Sequence, residues 1–137
     1  MTLFETAQRH LGIKEREGVK DHPLIRWWHS LCTIGEVPDS VPWCSSFVNG
    51  MCWLHRRARS KSAAARSWLD VGVSIDEGDA ELGDIVILSR GRNPRSGHVG
   101  FFAGWDRGSV RLLGGNQGDA VTIAPFAKGR ILGIRRV

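Results

Sequence analysis

Gly83-Asp84-Ile85-Val86-Ile87-Leu88 is where this chain changes its hydrophobic period. A turn at Gly83 leads into an unbroken apolar run, which reads as a buried strand. Beyond it, residues 98–103, 110–113, 121–124 and 131–134 form further short apolar runs, separated by Gly, Asn, Asp and Pro. Before it the apolar spacing is helical. Thr2 and Glu5 make a capping box, Leu3, Phe4, Ala7 and Leu11 follow one stripe, and Gly12 ends that helix. A second helix starts near residues 21–23 and carries Leu24, Ile25, Trp27, Trp28 and Leu31. Residues 33–41 read as a loop. A third helix is expected from Trp43 to about Arg57, burying Cys44, Phe47, Val48, Met51, Cys52 and Leu54. Ser62 can cap a short fourth helix carrying Ala64, Ala65, Trp68 and Leu69, with Gly72 as its breaker. Helices followed by a meander of strands predict an α+β fold, with N-terminal helices packed on a C-terminal antiparallel sheet of about five strands.

The 137 residues suit one domain, with 42% hydrophobic and 24% charged residues. The charge is +5 and the pI near 9.7. Such a surface suits a polyanion, whether nucleic acid, an acidic cell wall or an anionic membrane face. The basic residues fall at Arg56, Arg57, Arg59 and Lys61, at Arg90, Arg92 and Arg95, and at Arg130, Arg135 and Arg136. Solvated helix ends and loops are the ordinary reading of any one of these groups. Three cysteines leave at least one thiol unpaired in a monomer, the state expected here, and point to synthesis in a reducing compartment. The N-terminal residues lack the basic and apolar regions of a signal peptide, and no apolar run reaches the length of a membrane span. Cytoplasmic synthesis, with action elsewhere after release or delivery, is the expectation.

Pro42-Trp43-Cys44-Ser45-Ser46 places Cys44 in the first turn of the third helix. Free N–H groups and the positive end of the helix dipole favour thiolate there. Cys32 and Cys52 sit among apolar residues and fit the ordinary role of a small buried hydrophobe. His98 opens a strand after Gly97, and Asn116 follows Gly114-Gly115 at the end of the next. Adjacent antiparallel strands can set these two side by side. Cysteine, histidine and amide in this order make a nucleophile, a base and an orienting group. A plain turn would also account for Gly-Gly-Asn-Gln. Cys44, Cys52 and His55 lack zinc-ligand spacing. Asp21, Asp39 and Asp76 belong to no twelve-residue calcium loop, and Gly114-Gly115 lacks the rest of a nucleotide fingerprint. No metal or cofactor is expected.

Taken together, residues 42–49, 62–69, 83–86, 97–101 and 113–117 resemble the small CHAP-like and NlpC-like cell-wall hydrolases, most of all their phage and prophage branch. The resemblance spans roughly residues 10–136 and takes in the whole chain as one domain. It implies a papain-like fold and hydrolysis of a peptidoglycan amide, by an endopeptidase or N-acetylmuramoyl-L-alanine amidase, in phage-type lysis. It implies Cys44 as nucleophile, His98 as general base and then acid, and Asn116 as the group that orients His98. Many relatives carry a Glu shortly before that Asn, where this chain has glycines. Asp39 and Gln117 are therefore further candidates to hold the histidine, and Ser40 is a candidate oxyanion donor beside the Cys44 N–H. Trp43, Trp68 and Trp105 are candidates to line a cleft, against the usual packing role of Trp. Two other readings stay open. One is a delivered antibacterial amidase with the same chemistry. The other is a non-enzymatic basic module binding wall polymer or nucleic acid, although no nucleic-acid recognition signature is present and none is expected as a partner.

Overall fold

A computed structural model of the chain describes residues 1–16, 22–34 and 42–137. Its helices are α1 (Leu3–Gln8), α2 (Pro23–Ser30) and α3 (Cys44–Leu54). Its strands are β1 (Val73–Ser74), β2 (Ile85–Ser89), β3 (Gly97–Asp106), β4 (Ser109–Gly114), β5 (Thr122–Ala127) and β6 (Ile131–Arg136). The strands form a six-stranded sheet in the order β1-β6-β2-β3-β4-β5, with every pair antiparallel. This is the α+β arrangement expected, with one strand more than the expected five. The extra strand is β1, two exposed residues paired with the end of β6. A strand that short carries no periodicity to read.

The local differences have simple causes. The third helix stops at Leu54, which is exposed together with Trp53. Arg56, in a left-handed conformation, turns the chain away. The fourth helix is a 3-10 turn over Ala65–Asp70. The Ser62 hydroxyl accepts from the Ala64 amide at 3.1 Å, tying the loop before that turn instead of capping it. Pro125 lies inside β5, which is tolerated because β5 is an edge strand.

Strand β2 is buried on both faces. Ile85 and Ile87 join Phe47, Val48, Met51, Val99, Phe101 and Leu113 in the core beneath the helices. Val86 and Leu88 face the other way, with Phe102, Val110, Leu112 and Ile134. Period-two alternation thus places one strand in two cores. The middle of the core is aromatic. Trp28, Trp43, Trp68, Phe47 and Phe101 are fully buried, and the Phe47 ring meets those of Trp28 and Phe101 edge-on.

Residues 44–52 of α3 are all buried, so the helix needs internal partners for its polar side chains. Ser45 Oγ donates to the Ser62 carbonyl at 2.6 Å and accepts from Trp68 Nε1 at 2.9 Å. Ser46 Oγ lies 2.7 Å from His29 Nδ1. Asn49 donates to the Ser45 and Ser62 carbonyls and accepts from the Lys61 amide. Gly50 leaves room for the Trp28 indole, which any side chain there would strike. These contacts hold the helix in depth and rotation against the sheet, and so fix where its N-terminus points.

Candidate active site

Trp43 is the N-cap residue of α3, and no side chain caps the helix there. Among the described residues no side chain therefore competes for the first-turn N–H groups. The Trp43 indole is fully buried and donates to Glu15 Oε1 at 2.7 Å. Its ring packs against Gly115, where a Cβ would come within 2.6 Å of it and 2.8 Å of Phe47. The N-terminus of α3 is thus anchored to the Gly-Gly turn after β4. Cys44, at the first position of α3, is buried, as are Cys32 and Cys52, and all three thiols are free.

The Cys44 thiol lies against β3, within hydrogen-bonding reach of the Val99 backbone, next in sequence to His98. Burial pushes this thiol above its ordinary range. The backbone amides of Val99, Ser45 and Cys44 itself and the charge of Arg90 act in the opposite sense, and burial prevails. Burial therefore opposes the thiolate that the helix terminus favours, because an anion is costly to desolvate. Burial also lowers His98. The Gln117 hydrogen bond opposes that shift, and the charges of Arg130 and Arg90 add to it. Burial thus works toward the neutral form of each group.

The ring of His98 is held by Gln117, not Asn116. His98 Nε2 and Gln117 Oε1 are 2.9 Å apart, and both residues are buried. The Gln117 amide nitrogen donates to the Leu112 carbonyl at 3.2 Å and the Thr122 carbonyl at 2.9 Å. Both of those carbonyls can only accept, so the NH2 group must face them and the amide oxygen must face the histidine. The network therefore assigns the proton to Nε2 and leaves the lone pair on Nδ1.

Asn116 is half-buried, with a φ of 59°. Asparagine tolerates this left-handed conformation better than most residues. It turns the chain so that Gln117 folds back over Gly114. A Cβ at Gly114 would strike the Gln117 amide oxygen. The space left by the first glycine is filled by the glutamine three residues on. This is the physical content of the missing Glu noted in the sequence. A glycine followed at that distance by a long amide is the signal that favours Gln117 over its neighbour.

The other candidates fall elsewhere. Asp21, Asp39 and Ser40 lie outside the described residues. Asp76 is exposed ahead of a 3-10 turn. Trp43 and Trp68 are core residues, and their indoles are committed to Glu15 and Ser45. Trp105 is 39% exposed at the far end of β3, edge-on to Phe102 and under the Lys128 ammonium. Phe126 is the aromatic residue beside the site, its ring 5.0 Å from that of His98.

The CHAP domain family model matches residues 36–116, more than half of the chain. The chain belongs to the CHAP domain family. The matched span of this CHAP domain includes Cys44, His98 and Asn116 and ends one residue before Gln117. No curated protein matches it. Among solved structures it is similar to an NlpC/P60 family protein from Bacillus cereus ATCC 10987, with a TM-score of 0.59 and 19% identity. That likeness covers 98% of this chain and 38% of the other, and it shows a shared papain-like α+β fold.

A pH prediction follows for this site. A histidine acting as base is competent when neutral, and its environment holds it below the ordinary value of 6.5. The acid limb of kcat/KM for hydrolysis of a small soluble peptide should therefore lie below pH 6.5. An acid limb above that value would contradict the buried, neutral imidazole.

Proposed function

We propose that this CHAP domain hydrolyses an amide bond of the bacterial peptidoglycan stem peptide, with Cys44 as nucleophile and His98 as base and acid. The observation that supports the reading is the Gln117 network, which leaves the lone pair on His98 Nδ1, in the residue next in sequence to Val99, whose backbone the Cys44 thiol reaches. In the first step Nδ1 takes the thiol proton as sulfur attacks the scissile carbonyl. The Cys44 N–H, at the start of α3, donates to the developing oxyanion. The C–N bond then breaks and Nδ1 returns the proton to the leaving amine. In the second step Nδ1 takes a proton from water, whose oxygen attacks the thioester. A carboxylic acid leaves and the thiol is restored.

The residue roles are inferred from this geometry and from the CHAP family membership. In this reading the whole chain acts as one hydrolase domain, made in the cytoplasm, that meets the wall after release, as in phage-type lysis. The surplus of basic residues supports adhesion to an acidic wall. Purified peptidoglycan treated with the protein should release fragments with new termini, and mass spectrometry of those termini tells amidase from endopeptidase cleavage. Unchanged peptidoglycan of every chemotype, together with salt-sensitive oligonucleotide binding, would replace the hydrolase with a nucleic-acid module.

A further inference from the structure

A cleft of about 450 Å³ opens beside His98. That volume is ample for one residue of a substrate. His98 and Gln117 line it, and Cys44 does not. It therefore lies on the histidine side of the thiol. Two further lining residues are Arg90 and Arg130, and no Asp or Glu is among them. Their convergence follows from the sheet register. Leu88 pairs with His98 on one side and Ile131 on the other, so Ser89, Arg90 and Arg130 meet at one end of the sheet. Arg130 is half-buried. Its Nε donates to the Ser89 carbonyl at 3.0 Å, and its guanidinium stands 5.4 Å over the Phe126 ring, which in turn stacks on His98. Arg90 is exposed. Among the described residues the ion pairs involve Lys128 and Arg136, so neither cleft arginine has a carboxylate partner.

Two cations on the wall of a cleft without an acid call for an anion, and a planar fork favours a carboxylate. Which half of the substrate lies there follows from the mechanism, on which this step rests. His98 must hand its proton to the leaving amine, so the amine-side residue lies on the histidine side of the thiol. We propose that the residue on the amine side of the cleaved amide enters this cleft and carries a free carboxylate, which Arg90 and Arg130 receive. The enzyme would then discriminate between wall peptides whose amine-side residue is a free acid and those in which it is amidated.

Two peptides identical except for a free acid or a carboxamide on the amine-side residue test this. The cleaved bond is first located by mass spectrometry on whole peptidoglycan. The free acid should show a kcat/KM about tenfold or more above that of the carboxamide. That ratio should fall several-fold in Arg90→Gln and again in the double variant with Arg130→Gln, and Arg90→Lys should recover part of it. Equal cleavage of the two peptides, or a ratio unmoved by both substitutions, overturns the proposal while leaving the hydrolase intact. A second arm needs no turnover. The His98 ring resonances of Cys44→Ala protein should shift on titration with the acid peptide, more weakly with the carboxamide, and less again without Arg90. If the acid peptide leaves the ring unmoved, the cleft is not a carboxylate site, whether or not the protein proves to be an enzyme.

Discussion

Cys44→Ala should abolish peptidoglycan and stem-peptide hydrolysis while leaving the protein folded. Loss of a covalent nucleophile removes the first bond-forming step and is expected to lower kcat by about four or more orders of magnitude. The fold should survive because the side chain is small and the helix is held elsewhere, by Ser45, Ser46, Asn49 and Trp43. Circular dichroism and thermal unfolding check that side, and turbidity loss of exposed walls checks the activity. Cys32→Ser and Cys52→Ser should retain the chemistry. Iodoacetamide should find Cys44 ahead of Cys52, which is fully buried and whose thiol burial pushes up to about 12. Labelling at Cys44 should rise with pH, since its thiol also lies above the ordinary range, and activity should fall in step with the label. Full hydrolysis by a folded Cys44→Ala protein would remove the mechanism altogether.

The second large effect separates two adjacent residues. Gln117→Ala should lower kcat by about a hundredfold, because the ring of His98 loses the acceptor that fixes its tautomer and orientation. Asn116→Gly should cost far less. Glycine adopts the left-handed turn as readily, and the histidine keeps its partner. A general loss of stability would not reproduce this pattern. The pH profile supplies the distinguishing readout, since Gln117 is the contact that raises His98 against burial. Without it the acid limb should move to lower pH even as the rate drops. Gln117→Glu, which keeps an acceptor at the same reach, should move that limb upward. If Asn116→Gly is the inactive variant and Gln117→Ala the tolerated one, the orienting role belongs to Asn116 after all.

Much of this was readable from residues alone, because it depends on local spacing. The Thr2 cap on the Glu5 amide, the apolar run of β2 and the change of period near Gly83 each report a local preference, and the structure keeps them. The position of Cys44 at a helix start is of the same kind. Strand β1 was invisible because it exists only by pairing with β6. The fourth helix was over-read because Ser62 ties a loop instead of capping a helix.

What the chain itself determined is the α+β class, the helix start at Cys44 and the strand start at His98, and the glycine turn at the end of β4. What only the tertiary structure decided is which amide holds the histidine, the burial of the thiol, and what surrounds each of the two. Asn116 and Gln117 are neighbours in sequence, and no periodicity separates them. The left-handed turn at Asn116, the empty space at Gly114 and two carbonyls from β4 and β5 select the glutamine. The helix terminus argued for thiolate, yet the burial that opposes it arises only when α3 packs on β3. Arg90 and Arg130, forty residues apart, share a cleft because β2 and β6 pair. Spacing along a chain reports on conformation, whereas burial and charge at a site are set by what distant segments bring to it.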